Sequence, residues 1–313
     1  KVLHPLCGRP MVAWVVDQAL ALDPDRILIV VGHGADDVQR ALAAEDQLER
    51  TILVRQEPQL GTGHALQCCV PHLHAKSSEP SRVVVLYGDM PLLSTASLAA
   101  LRTLQEEEAA EGAALLTARP SDPRGFGRVL RGEQGEVRGI VEDRDANPEE
   151  RAIAEVNLGV YAFDEAALLD VLPLLSQANE QGEYYLTDAI GTLVESGRPV
   201  AALAIEDERE AIGVNTLSHL ATARSALQAR ILETHMENGV FIEDPATTTI
   251  DHGVRIGAGT RVLPCTVIRS GVRIGAACEV GPFAQLRAGT VLEDGAEVGN
   301  FTECKKSRVG AHA

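Results

Sequence analysis

The chain has 313 residues, 45% of them hydrophobic and only 3% aromatic, with a formal net charge of −17. That length allows two domains and a sizeable core, and that charge argues against a nucleic-acid or anionic-membrane partner. No apolar run approaches the roughly 20 residues that cross a bilayer, no signal peptide opens the chain, and the six cysteines lack metal-ligand spacing, so buried thiols in a reducing, cytoplasmic compartment are expected.

Apolar residues at helical spacing predict a helix over 11–22, ended by Asp23-Pro24. A buried strand over 26–31, a helix over 36–44 and a strand over 51–54 follow. Gln56-Glu57-Pro58-Gln59-Leu60-Gly61-Thr62-Gly63-His64 then forms a Gly-rich loop entering a helix over about 64–73. Such loops present backbone N–H groups to a phosphate or a base edge. This one has neither the dinucleotide nor the P-loop spacing, so it is a weak signal alone.

Val83-Val84-Val85-Leu86 is an apolar run that reads as a strand buried on both faces, the signature of a parallel sheet. It stops at Gly88-Asp89, with Pro91 barring continuation. Ligands of open α/β sheets bind beyond the carboxyl ends of the strands. Asp89 therefore stands where it could hold a metal-bound phosphate or, equally, cap the next helix.

Helices are expected from 94 to about 108, over 166–175 and from the Gly182–Asp188 segment to about 196. Strands are expected over 114–117, 137–142, 156–163 and 200–205. The alternation indicates a mostly parallel, doubly wound sheet. Glu142 and Asn157, each at a strand edge, offer acceptors and donors suited to sugar hydroxyls or an amide. Position alone favours solvated strand ends for both. Asn215 is an oxygen donor suited to Mg²⁺ or to helix capping. From it to 237 no Gly or Pro breaks the helical period, which predicts a long linking helix ended by Asn238-Gly239.

Beyond Gly239 the period changes to six. Ile250, Ile256, Val262, Ile268, Ile274, Val280, Leu286, Leu292 and Val298 recur without a break, and Cys304 takes the next position. Small or β-branched residues such as Thr260, Thr266 and Thr290 stand two places before. This is the hexapeptide pattern of a parallel β-helix, three hexads to a coil, and predicts roughly three coils.

Lys1-Val2-Leu3-His4-Pro5-Leu6-Cys7-Gly8-Arg9-Pro10-Met11, Gln59-Leu60-Gly61-Thr62-Gly63-His64, Tyr87-Gly88-Asp89-Met90-Pro91-Leu92, Gly125-Phe126-Gly127-Arg128, Gly182-Glu183-Tyr184-Tyr185-Leu186-Thr187-Asp188 and Gly281-Pro282-Phe283-Ala284 together resemble one family. It is the bacterial bifunctional N-acetylglucosamine-1-phosphate uridylyltransferase/glucosamine-1-phosphate N-acetyltransferase family, and the resemblance covers essentially the whole chain.

The resemblance implies an α/β fold: a doubly wound, Rossmann-like nucleotidyltransferase domain over 1–214, a linker helix over 215–238 and a left-handed parallel β-helix over 239–313. It further implies that Gln56, Gly61 and Thr62 read the uracil, and that Tyr87, Gly88 and Asp89 border the nucleotide sugar. Gly127, Glu142 and Asn157 would hold the N-acetylglucosamine moiety, Lys1 would act on phosphate in catalysis, and Asp89 and Asn215 would ligate Mg²⁺. Arg287 and Lys305 match residues that grip glucosamine 1-phosphate in the acetyltransferase half. The implied ligands are UTP, N-acetylglucosamine 1-phosphate and UDP-N-acetylglucosamine, with glucosamine 1-phosphate and acetyl-CoA for the second activity. The implied assembly is a homotrimer.

The family's opening strand and its triphosphate loop, L-x-A-G-x-G-T-R-M, are expected before Lys1. Its distal coils and catalytic histidine are expected after Ala313, and His312 reads as a turn residue. Both ends thus read as truncated. A glucose-specific sugar-1-phosphate nucleotidyltransferase and a non-catalytic β-helix scaffold are the rival readings; the tyrosine-rich segment opening at Gly182 and the joint presence of Lys1, Asp89, Glu142, Asn157 and Asn215 argue against them.

Overall fold

The computed structural model describes residues 1–73 and 81–313. The expected helix over about 64–73 is described; residues 74–80 lie outside. The chain divides into two compact units, one of residues 1–3 and 11–213 and the other of residues 4–10 and 214–313.

In chain order, β1 (Pro5–Leu6) and β2 (Arg9–Pro10) form a hairpin of the second unit. The first unit runs through α1 (Met11–Leu20), β3 (Ile27–Val31), α2 (Ala35–Ala44), β4 (Thr51–Arg55), α3 (Thr62–Cys69), β5 (Arg82–Val85) and α4 (Thr95–Glu108). It continues through β6 (Ala113–Ala118), β7 (Arg128–Arg131), β8 (Val137–Val141), α5 (Pro148–Arg151), β9 (Val156–Asp164), α6 (Glu165–Val171), α7 (Thr187–Glu195) and β10 (Val200–Ala204).

Six of these strands form one sheet in the order β10-β6-β9-β7-β8, with β5 also on β9. β10 runs parallel to β6, while β9 runs antiparallel to β5, β6 and β7. The valine run in β5 thus has an antiparallel partner among the described residues, not the parallel one its composition suggested. Both faces of the sheet are covered, which is what an unbroken apolar strand requires. Ala113 and Leu115 of β6 pack toward α6 and α7, whereas Ala114 and Leu116 pack toward α4. The parallel β3-β4 pair stands as a separate two-stranded sheet. Ser94 caps α4, its Oγ accepting from the Ser97 N–H at 3.0 Å.

The second unit begins with α8 (Leu217–Glu237), capped by Thr216, whose Oγ1 accepts from the His219 N–H at 3.1 Å. Thr216 therefore does the capping that the sequence left open for Asn215. Twelve two-residue strands follow, in three parallel stacks of four. Beyond the first pair, Phe241 with Arg261, strands join partners 18 residues apart, such as Ile250 with Ile268 and Ile268 with Leu286, until the last coil. These aliphatic side chains are fully buried, with Val262 and Val280 beside them. At the corners, residues 253, 259, 265, 271, 277 and 283 all take positive φ, whether glycine or, at Cys265, Ala277 and Phe283, a larger residue. The last coil is one residue shorter, because Leu292 pairs with Val309, 17 places on. Cys304 keeps the predicted register, and the hexad that follows it has five residues.

Candidate functional site

The Gly-rich loop is held by backbone hydrogen bonds to a distant segment. The Tyr184 N–H donates to the Leu60 carbonyl at 2.8 Å, and the Gly63 N–H donates to the Tyr184 carbonyl at 2.8 Å. The Leu186 N–H donates to Thr62 Oγ1 at 3.1 Å. Gln56 Nε2 closes the loop from within, donating to the Gly61 carbonyl at 2.9 Å. Gly61 has φ +104°, and a Cβ there would stand 2.6 Å from the Tyr184 carbonyl oxygen, so only glycine lets the two segments meet.

Asp89 lies just past β5, as the strand-end placement predicted. Lys1 Nζ donates to Asp89 Oδ2 at 2.6 Å. Burial desolvates the intervening Tyr87 phenol and pushes its pKa well up. The Tyr87 ring lies against Gly159 (φ +73°), where a Cβ would come within 2.4 Å of it. A cavity of about 980 Å³ lies between β3 and β5, with Lys1, Thr62, Tyr87, Gly88 and Asp89 among the residues that line it.

Gly127, Glu142 and Asn157 come together. The Asn157 N–H donates to the Gly127 carbonyl at 2.8 Å, and Glu142 Oε2 lies 3.6 Å from where a Gly127 Cβ would be. Asn157 is buried and Glu142 partly so, which corrects the solvated strand ends that position alone favoured. Two residues without an assigned role complete the group. Thr187 Oγ1 donates to Glu142 Oε1 at 2.9 Å, and Asn157 Nδ2 donates to the Tyr161 hydroxyl at 2.7 Å. Thr187 closes the tyrosine-rich segment and so was within reach of motif reading; Tyr161, inside an apolar strand, carried no signal.

Desolvation raises the pKa of Glu142, the Thr187 hydrogen bond opposes this, and the carboxylates of Asp188, Asp145 and Asp143 add to the rise. The folded chain then holds this proton to higher pH than the unfolded chain. Stability therefore falls as pH rises through the folded value, and the penalty persists above it. Glu142→Gln should raise the thermal unfolding midpoint at pH 7, with no gain well below pH 4.5. Melting curves at the two pH values check this, and an unchanged midpoint at pH 7 refutes it.

A divalent ion fits what the first unit offers. Asp89 offers a carboxylate oxygen of the hard kind that such ions take, and its Oδ2 faces Lys1 Nζ. Asn215, the second ligand implied by the family resemblance, belongs to the other unit, where its N–H donates to His219 Nδ1 at 3.4 Å.

In the β-helix, Arg287 and Lys305 occupy equivalent positions one coil apart, each following an inward residue of the paired Leu286 and Cys304. Arg287 Nη1 pairs with Glu303 Oε1 at 2.6 Å, and Lys305 is exposed. His312 sits at an exposed corner with φ +56°, as its reading as a turn residue expected. All six cysteines are free thiols.

Residues 1–146 match the model of the MobA-like NTP transferase domain family. The chain is 44% identical to the bifunctional protein GlmU of Shouchella clausii over 268 residues, 86% of this chain and 57% of that protein. It is likewise 44% identical to the GlmU protein of Brevibacillus brevis over 84% of this chain and 55% of the relative. The chain thus spans a little over half the length of the curated relatives it matches. An apo UDP-glucose pyrophosphorylase shares the fold, with a TM-score of 0.59 at 16% identity over 74% of this chain and 91% of that one. Across most of its own length the chain is similar to the bifunctional GlmU proteins.

Proposed function

We propose that the first unit binds UTP and N-acetylglucosamine 1-phosphate and forms UDP-N-acetylglucosamine and pyrophosphate. The observation that carries this reading is the meeting of two groups on one unit. Thr62 of the Gly-rich loop lines the same cavity as Tyr87, Asp89 and Lys1, while Glu142, Asn157 and Gly127 form a hydrogen-bonding set suited to an N-acetylated sugar.

A sugar-phosphate oxygen would attack the α-phosphorus of UTP in line, with pyrophosphate leaving. Such transfers need positioning and charge neutralisation more than covalent catalysis. Gln56 and the Gly61-Thr62 backbone would seat the base, Tyr87-Gly88 would border the sugar nucleotide, and Lys1 would neutralise phosphate. Asp89 would hold Mg²⁺, with Asn215 as the implied second ligand; the ion supplies charge neutralisation on the phosphates. The second unit would belong to an N-acetyltransferase that uses acetyl-CoA, with Arg287 and Lys305 on the phosphate of glucosamine 1-phosphate. The proposed assembly is a homotrimer and the proposed compartment the cytoplasm; among the described residues no helix is long and apolar enough to cross a membrane.

Calorimetry of this chain with UDP-N-acetylglucosamine, with and without Mg²⁺, tests the reading. Mg²⁺-dependent binding, stronger than that of UDP-glucose, is expected. Well-folded protein that binds neither nucleotide sugar would overturn it.

A further inference from the structure

We infer that Tyr161 is a positioning residue for recognition of the sugar amide, acting through Asn157; this rests on the reading that Asn157 faces the sugar. The Gly159 backbone N–H can only donate, and it points at the Asn157 carboxamide at 3.1 Å. That fixes the oxygen, Oδ1, on the Gly159 side. Nδ2 must then face the other way, where the Tyr161 hydroxyl accepts from it at 2.7 Å. The two contacts together select one of the two flips of the amide.

What remains on the side chain is one N–H of Nδ2 and one lone pair of Oδ1. A secondary amide, with one N–H and one carbonyl, satisfies both. A hydroxyl in its place satisfies them less well, because it cannot span the two with matched geometry. Tyr161 itself is fully buried, and Asn157 is 7% exposed. Without the phenol, Nδ2 would lose its acceptor and the carboxamide its anchor on that side. Tyr161 sits in β9 with Phe163 at 5.5 Å between ring centroids, so the ring keeps its place when only the oxygen is removed. Tyr161→Phe therefore removes an orientation and leaves a shape.

The test compares three ligands on the intact chain with Mg²⁺: UDP-N-acetylglucosamine, UDP-glucose and UDP. Tyr161→Phe should weaken UDP-N-acetylglucosamine by about fivefold to tenfold, the worth of one neutral hydrogen bond. UDP-glucose and UDP should bind the variant as they bind the parent, so the preference for the acetamido sugar falls by that factor. A merely structural role for Tyr161 would weaken all three ligands together. Asn157→Ala should lose at least as much preference, and the double variant no more than Asn157→Ala alone. If Asn157→Ala loses preference and Tyr161→Phe keeps it, the positioning role is wrong and the sugar assignment stands. If Asn157→Ala also keeps the parent preference, or the parent binds no nucleotide sugar, the sugar assignment fails and takes this inference with it. Unchanged UDP affinity is the check that the variant is folded at the site.

Discussion

Asp89→Ala should bind UDP-N-acetylglucosamine about a hundredfold more weakly than the parent in Mg²⁺, on the scale seen when metal-site support is lost. It should also stop responding to the ion. The reason is local. Asp89 lines the cavity beside Tyr87 and Gly88, and its Oδ2 is already in contact with Lys1 at 2.6 Å. Removing the carboxylate would delete a hard oxygen ligand and also release the lysine that it holds. Two terms then fall together, so the loss should exceed that of Lys1→Ala. Titrating Mg²⁺ into each variant at fixed nucleotide sugar separates them: Lys1→Ala should keep the metal response, whereas Asp89→Ala should not. A variant at Asp89 that still bound more tightly in Mg²⁺ would remove the residue from the metal site.

The second large effect concerns stability. Arg128 follows Gly127 and is 2% exposed, and a guanidinium keeps its charge even when buried. It is held by Asp143 at 2.9 Å and by the carbonyls of Phe126 and Arg151. Asp143→Ala should lower the unfolding free energy of the first unit by about 3 kcal/mol, since breaking such a pair strands a charge in low dielectric. Urea denaturation measures it. The exposed Arg124–Asp122 pair is the control, and Asp122→Ala should leave stability unchanged because water screens both partners. Asp143→Ala should also weaken sugar binding, because the same pair fixes the strand that carries the Gly127 carbonyl.

The β-helix was legible in the sequence almost residue by residue. A solenoid buries each side chain against neighbours one coil away, so its core repeats at a fixed interval that counting recovers. Asp89 was legible for a related reason, because a strand followed by Gly-Asp locates its own end. The direction of β5 was not, since its partners on β9 lie 76 to 82 positions on and an apolar run looks the same beside either kind of neighbour. Position alone hides the setting of Glu142 and Asn157, because Thr187, the partner of Glu142, lies 45 residues on, and the strand that carries both Asn157 and Tyr161 is buried along nearly all its length. Asn215 could be weighed as a helix cap only until Thr216 was seen to supply that bond.

The short coil near Lys306 has a consequence for reading such a prism by number. A repeat counted forward from Cys304 in sixes would point residue 310 inward, whereas Val309 takes that place beside Leu292. One missing residue acts as a phase slip: each later position turns by one step relative to the count, and inward and outward exchange roles along the edge. Lys305 and Lys306 stand at the slip, so the arithmetic that located every aliphatic residue up to Cys304 needs a new origin just where the first outward cations of the final coil appear.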